Sequence, residues 1–247
     1  MMIELNKSDG VAVLTMNRPA QRNAMSAGLV QALIEAFSQL NGDAEVRAIV
    51  LAGAGRGFCA GSDVRSLAGM SPAKRQNFEA ESGRLARLLG TLAQPVIAAV
   101  NGFAIGGGMT LATSCDLIVS ERSAKWSLPE VPIGLFPAWG LASVVHRVGR
   151  VVAKRLAYGV DVFSGEEAYR LRLVDYIVEQ NAGERALKLA YELSKLPTQQ
   201  GKFVKEYFAV NATVGDEAAD FAANNLFMRS TVTEEAQASF KKFSAKG

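Results

Sequence analysis

Residues 101–116, NGFAIGGGMTLATSCD, constrain the fold more than any other part of the chain. An apolar run at 95–100 precedes them, and it is short and β-branched enough to be a buried strand. The residues after Gly106, Gly107 and Gly108 are typical of the first turns of a helix, which places the three glycines at a strand-to-helix turn. Glycine permits positive φ and close approach to the backbone, and the first N–H groups of a helix lack partners within it. Two interpretations remain open here: a turn that needs small residues, and a site that holds a negatively charged oxygen.

Composition is that of an ordinary globular protein. The 247 residues are 49% hydrophobic and 21% charged, enough for one sizeable domain. A net charge of +3, without basic runs interleaved with aromatic residues, does not favour nucleic acid as a partner. Cys59 and Cys115 give no disulfide framework and fit a reducing compartment. The N-terminus, MMIELNKSDG, lacks the apolar core of a signal peptide, so a cytoplasmic location is predicted.

Residues 88–115 contain no charged side chain and are long enough to cross a bilayer. They also contain Pro95, Asn101 and several glycines, which a lipid-facing helix disfavours. A buried strand, a turn and a helix explain the same apolarity. We therefore predict no membrane span.

Strand-like and helix-like patterns alternate along the chain. Predicted strands cover 2–8, 11–17, 46–52, 95–100, 117–120 and 174–178. Helices are predicted to begin at the N-caps Ser26, Ser71 and Ser164, and residues 126–130 are predicted to form an irregular loop. This alternation indicates an α/β core over 1–181, followed by a helical region over 182–247 that forms a second layer or an assembly surface.

Several familiar catalytic patterns are missing. Phe58 replaces the third glycine of a dinucleotide-binding motif, and Gly108 occupies the lysine position of a phosphate-binding loop. The chain has one histidine, His146, so a histidine-rich metal site is excluded and no metal is predicted. A structural role is favoured for His146, because nothing near it resembles a nucleophile turn.

Two backbone turns and one carboxylate form the strongest candidate site. The turns lie at 57–64 and 106–108, each after a predicted strand, and parallel neighbouring strands would bring both to one end of the sheet. Two N–H groups converging there would stabilise a carbonyl oxygen that gains negative charge. Glu130 follows Pro129 in an apolar stretch, and burial would raise its pKa toward the range useful for proton transfer. The alternative for Glu130 is a surface glutamate in a loop.

Five motifs in order resemble the enoyl-CoA hydratase/isomerase (crotonase) superfamily. They are NRPAQRNAM at 17–25, GFCAGSDV at 57–64, NGFAIGGGMTLATSCD at 101–116, SLPEVPIGLFPAWG at 127–140 and SGEEAYRLRLVDYIV at 164–178. The resemblance implies an α/β spiral of ββα units with a helical C-terminal region, assembled as a homotrimer or hexamer. It implies an acyl-CoA thioester as substrate, with coenzyme A entering as part of that substrate and no separate cofactor.

The resemblance also implies roles for individual residues. The N–H groups of Ser62 and Gly107 would hold the thioester oxygen of an enolate, and Glu130 would move protons. Lys241 or Lys242 would approach a phosphate. The residues placed where the family holds or frames the substrate are Arg22, Ala60, Asp63, Val64, Gly106, Thr110 and Trp139.

Two departures from the family pattern bear on the reaction. Thr110 stands where hydratases carry a first glutamate, and Ala138 stands where a glycine helps to hold water. With Glu130 as the single remaining carboxylate, the resemblance favours a shift of a double bond from 3-enoyl-CoA to 2-enoyl-CoA. Hydration, hydration followed by carbon–carbon cleavage, decarboxylation and a catalytically silent thioester-binding scaffold remain alternatives. Phe78, Leu128, Phe136 and Trp139 are candidates for either an acyl pocket or the core.

Overall fold

Two β-sheets form the centre of the protein, and the computed structural model describes residues 1–213 and 216–245. The larger sheet has the strand order β1-β2-β3-β4-β6-β9, and the smaller has the order β5-β7-β8. Apart from the antiparallel pairs β1–β2 and β7–β8, the neighbouring strands are parallel. The strands are β1 (Ile3–Ser8), β2 (Val11–Met16), β3 (Ala48–Gly53), β4 (Val96–Val100), β5 (Phe103–Ile105), β6 (Leu117–Glu121), β7 (Lys125–Ser127), β8 (Phe163–Ser164) and β9 (Tyr176–Val178).

Helices connect and cover these strands. They are α1 (Ala27–Asn41), α2 (Val64–Ala68), α3 (Pro72–Thr91), α4 (Gly107–Thr113), α5 (Leu141–Ala157), α6 (Gly165–Arg170), α7 (Ala182–Ser194), α8 (Thr198–Thr213), α9 (Asp216–Ser230) and α10 (Glu234–Ser244). Short 3₁₀ turns lie at Pro19–Gln21 and Val131–Ile133. The predicted caps are confirmed: the side chains of Ser26, Ser71 and Ser164 each accept a hydrogen bond from the first turn of their helix.

Both faces of the large sheet are covered, as a mostly parallel sheet requires. On β3, Ile49 and Leu51 face the main core, whereas Ala48 and Val50 face a second apolar layer. That second layer includes α7, although α7 follows the boundary predicted at residue 181. Residues 214–215 and 246–247 of the predicted 182–247 region lie outside the described residues. The division at residue 181 and the assembly role of the C-terminal region remain predictions.

Two local expectations are wrong. The strand β5 lies between the predicted strand at 95–100 and the glycine turn, so the turn follows the small sheet and not the large one. Residues 126–130 are also not wholly irregular, because Trp126 and Ser127 belong to β7 and pair with Ala104 and Ile105 of β5. Within the described ranges, none of the helices combines the length and apolarity needed to cross a membrane.

Candidate active site

The first backbone turn presents the N–H of Ser62. Cys59 forms a parallel bridge with Ala104 of β5, which brings this turn beside the glycine turn. The N–H of Met25 donates to the carbonyl of Gly61, and the N–H of Asp63 donates to the carbonyl of Met25, both at 2.8 Å. These two hydrogen bonds form a parallel bridge between Met25 and Ser62. In this bridge the N–H of Ser62 points away from Met25. The two turns therefore meet through the small sheet, not through neighbouring strands of the large one as predicted.

The second turn presents the N–H of Gly107, the first residue of α4. Gly106 has φ 55° and ψ −129°, a conformation open only to glycine in practice. The turns are close: a Cβ on Gly61 would lie 3.3 Å from Gly107 N, and a Cβ on Gly107 would lie 3.4 Å from Ser62 Oγ. In the part of the chain that the structure describes, neither the Ser62 nor the Gly107 N–H donates to a protein acceptor. Both donors are available to a ligand oxygen.

Glu130 lies between β7 and the 3₁₀ turn, and its carbonyl accepts hydrogen bonds from the N–H groups of Ile133 and Leu135. Its Oε1 lies against Gly106, since a Cβ there would be 2.7 Å from this oxygen. Its Oε2 is buried and has no hydrogen-bond partner among the described residues. Burial raises the pKa of Glu130 to about 7. The predicted rise in the pKa of Glu130 is found, and it comes from an enclosed carboxyl group on a residue that is half-buried as a whole.

A cavity of about 80 Å³ joins these groups. Most of the predicted site residues line it: Ala60, Ser62, Val64, Gly106, Gly107, Thr110, Glu130 and Trp139. Among the candidates for an acyl pocket, Phe136 and Trp139 line the cavity, whereas Phe78 and Leu128 are core residues. His146 is exposed on α5 and does not line this cavity.

Arg22 and Asp63 lie outside the cavity lining. The carbonyl of Arg22 accepts a hydrogen bond from the N–H of Ala60 at 3.1 Å. Asp63 caps α2 and forms an ion pair with Arg18 at 3.2 Å. Both residues support the Ser62 turn, and their contact with coenzyme A remains a prediction.

The expectation of a single carboxyl group in the site is wrong, because Glu79 of α3 also lines the cavity. Glu79 is 3% exposed. Burial raises its pKa to about 8, the charge of Glu130 adds to the rise, and the indole N–H of Trp139 opposes it. Glu79 belongs to none of the matched motifs. A sequence signal did exist: the small residues Gly83 and Ala86 lie on the same helix face as Glu79, which is typical of a closely packed face.

The loop that carries Trp139 is held by α9. Asp220 accepts a hydrogen bond from the N–H of Gly140 at 2.9 Å and forms an ion pair with Arg87 of α3. Gly83 makes this approach possible, because a Cβ there would lie 2.9 Å from Asp220 Oδ2 and 3.4 Å from Trp139 Cβ. This positioning residue was not found by sequence reasoning.

The C-terminal helices also close the cavity. Phe227 of α9 is buried and lines it. On α10, the Ser239 hydroxyl donates to the carbonyl of Ile133, in the 3₁₀ turn that follows Glu130, at 2.8 Å. The C-terminal region therefore shapes the site in addition to any role in assembly.

The geometry, a carboxyl group facing a pair of free backbone donors, agrees with the comparison to known families. The family model for enoyl-CoA hydratase/isomerase matches residues 6–247. The chain belongs to this family. It is therefore a member of an enzyme family that acts on enoyl-CoA thioesters, and the predicted crotonase-type α/β fold is confirmed.

Individual relatives agree with this membership. A crotonyl-CoA hydratase from Syntrophomonas wolfei subsp. wolfei is 35% identical over 212 residues, which cover 81% of this chain and 82% of the relative. A short-chain-enoyl-CoA hydratase from Clostridium acetobutylicum is 37% identical over 177 residues, covering 71% of this chain and 68% of the relative. The crystal structure of an enoyl-CoA hydratase/isomerase from Mycobacterium paratuberculosis has a TM-score of 0.90 at 25% identity, with 98% of each chain covered.

Proposed function

We propose that this enoyl-CoA hydratase/isomerase family member shifts the double bond of a short 3-enoyl-CoA thioester to the 2-position. Glu130 is the base, and the N–H groups of Ser62 and Gly107 form the oxyanion hole. The observation that carries the proposal is the placement of the Glu130 carboxyl group: Oε1 lies against the Gly106 turn, and Oε2 is buried without a partner among the described residues. A carboxyl group whose pKa is about 7 is ionised in about half of the molecules at neutral pH, as a general base requires.

The reaction follows from this arrangement. The thioester oxygen accepts hydrogen bonds from the two N–H groups, and the Glu130 carboxylate takes a proton from C2. The electron pair of the C–H bond moves toward the thioester oxygen and forms a dienolate. Removal of one donor aimed at an oxygen that gains charge costs about 2.7–4 kcal/mol in a well-studied case. Return of the proton at C4 completes the shift.

Hydration of a 2-enoyl-CoA is the second candidate. The curated relatives described above are named hydratases. Glu79 also supplies a second carboxyl group on the cavity wall, although Thr110 occupies the position where the resemblance implies a glutamate. Two carboxyl groups suit water addition, because one can orient water while the other handles the second proton.

The substrate and the assembly belong to the same proposal. A cavity of about 80 Å³ walled by Phe136, Trp139 and Phe227 favours a short acyl group. Coenzyme A would lie near Arg22 and Asp63, outside the cavity. Phe203, Val204, Tyr207 and Phe208 of α8 are exposed, which supports assembly as a homotrimer or hexamer. A cytoplasmic location remains a prediction.

An activity screen tests the function. The purified protein is incubated separately with short 3-enoyl-CoA and 2-enoyl-CoA thioesters, and the products are analysed by mass and chromatography. Isomerisation gives an isobaric product, and hydration gives a product heavier by one water. A malonyl-type thioester, incubated in the same way, tests decarboxylation through a product lighter by one CO2. Glu130→Gln is expected to lower turnover by about 10²–10⁴-fold while coenzyme A affinity stays unchanged.

Glu81→Gln is the matched control, because Glu81 is partly exposed, pairs with Arg84 on the surface of α3 and does not line the cavity. Near-normal turnover of Glu130→Gln with every thioester would contradict the assignment of the base. Coenzyme A binding without turnover of any thioester would favour a silent scaffold.

A further inference from the structure

Glu79 is a buried carboxyl group that the single-base reaction does not use. It projects from α3 into the cavity that also holds the Glu130 carboxyl group. The two residues come from separate elements, the long helix α3 and the loop after β7. A substrate in this cavity therefore meets a carboxyl group from each of two elements.

The surroundings of Glu79 differ from those of the structural carboxylates. Asp116 is paired with Lys205, and Asp220 is paired with Arg87. In the described part of the chain, Glu79 has no such cation. Arg75, one turn earlier on α3, donates to the carbonyls of Leu67 and Ala68. Glu130 lies across the cavity, and the Arg87–Asp220 pair lies about two turns further along α3. A buried carboxyl group without a cation stays protonated more readily than a paired one.

Both carboxyl groups have raised pKa values. Burial raises the pKa of Glu130 to about 7 and that of Glu79 to about 8, and the charge of Glu130 contributes to the rise at Glu79. Because the two groups interact, loss of the first proton from the pair makes loss of the second harder, so near neutral pH the pair holds one proton. The site thus contains an ionised base and a protonated acid at the same time.

We propose that Glu79 is a second catalytic residue of this enzyme, the acid that supplies a proton to the substrate while Glu130 acts as the base. This inference rests on the proposed function and refines its last step. Glu130 takes the C2 proton and the electron pair forms the dienolate. Glu79 then donates its O–H proton to C4, where the electron pair of the dienolate forms the new C–H bond.

One proton transfer within the site returns both carboxyl groups to their starting state. After the substrate has reacted, Glu130 holds the proton from C2 and Glu79 is ionised. Passage of one proton from Glu130 to Glu79 through water in the emptied cavity restores the starting state. In the hydration alternative, the proton of the attacking water goes to Glu130, and that of Glu79 goes to C2.

Isotopic labelling separates one acid–base group from two. The substrate is a 3-enoyl-CoA with deuterium at both C2 positions. If Glu130 alone moves the hydrogen, part of the deuterium is found at C4 of the product. If Glu79 supplies the C4 hydrogen, C4 receives protium and the removed deuterium is lost to solvent.

Glu79→Gln is compared with wild type and with Glu81→Gln on the same helix. Because glutamine is isosteric and neutral, Glu79→Gln should fold, and a thermal melt checks this. We expect kcat to fall about 10²-fold at unchanged coenzyme A affinity, the alkaline limb of the pH profile to disappear, and the residual product to contain more deuterium at C4. Glu79→Asp, which retains a carboxyl group, should recover part of the rate.

The outcomes distinguish this inference from the proposed function. A Glu79→Gln enzyme with kcat within about threefold of wild type overturns the role of Glu79 and leaves the proposed function in place. Equal deuterium at C4 in wild type and Glu79→Gln also overturns it. If the reaction is hydration, the comparison of kcat between Glu79→Gln and wild type tests the role of Glu79 in the same way. A wild-type protein that turns over neither thioester refutes both the proposed function and the role of Glu79.

Discussion

The carboxyl group of Glu130 lies against the bare Cα of Gly106. A Cβ on Gly106 would be 2.7 Å from Glu130 Oε1, and the residue has φ 55°. The next N–H along the chain is that of Gly107, one of the two donors in the proposed oxyanion hole. The base and a donor therefore share one turn, so a change in this turn moves both.

Replacing Gly106 by alanine should disable the site. The methyl group would displace the Glu130 carboxyl group, and the backbone conformation would cost about 1–3 kcal/mol. We expect a loss of about 10²-fold or more in kcat/KM, because small displacements of reacting groups are costly. Steady-state kinetics and a denaturant titration measure the two effects. Gly90→Ala is the control, since a Cβ on this helical glycine meets nothing within 4 Å. A comparable loss of activity in Gly106→Ala and Gly90→Ala would contradict the prediction.

Asp220 should govern the position of Trp139. Asp220→Asn weakens the ion pair with Arg87 and leaves the N–H of Gly140 with a poorer acceptor. We expect a loss of about 1–3 kcal/mol in the free energy of unfolding, a changed tryptophan emission spectrum and a higher KM for the acyl thioester. Glu81→Gln removes a solvent-exposed pair with Arg84 and should change stability by less than about 1 kcal/mol. An unchanged emission spectrum and KM in Asp220→Asn would contradict this role.

Sequence reasoning succeeded where the signal was local. The N-caps at Ser26, Ser71 and Ser164 depend on neighbouring residues, and each is confirmed. Glu130 was also found locally, because the apolar residues beside it along the chain indicate burial. The alternation of strands and helices was sufficient for the fold class.

The missed features depend on distant contacts. The strand β5 has three residues and is stabilised by pairing with β7 and Cys59, so its own sequence carries little signal. Glu79 resembles the other polar residues of α3, and apart from the small residues on its helix face only the packing of α3 distinguishes it. Asp220 lies far along the chain from Gly140, and helix periodicity does not reveal which backbone N–H a carboxylate will meet.

The stability of the protein should depend on pH through Glu79. In the unfolded chain Glu79 loses its proton near the ordinary pKa of 4.5, whereas in the folded protein it does so near 8. Between these values the folded state binds more protons, so this contribution to the free energy of unfolding is complete below 4.5 and is lost as pH rises through about 8. Glu130 contributes to the free energy of unfolding in the same direction, and its contribution is lost as pH rises through about 7.

Glu79→Gln should therefore be less sensitive to alkali than wild type. Relative to wild type, the variant is expected to gain on the order of a few kcal/mol between about pH 5 and about pH 9. Denaturant unfolding across this range measures the difference, with Glu81→Gln as the control. Parallel stability curves for wild type and Glu79→Gln would show that Glu79 has an ordinary pKa.

Trp139 should affect both the preferred acyl-chain length and the pKa of Glu79. Trp139→Phe replaces the indole by a smaller ring and so enlarges the cavity. Longer acyl chains are therefore expected to gain in kcat/KM relative to short ones, by about 10-fold or less per added methylene group. The variant also removes the indole N–H that lowers the pKa of Glu79, so this pKa should rise and the alkaline limb of the pH profile should move to higher pH. Trp126→Phe is the matched control, because Trp126 donates to Ser120 inside the core and does not line the cavity. Trp126→Phe should lose stability without a change in chain-length preference. If both variants show the same change of preference, Trp139 acts through stability alone.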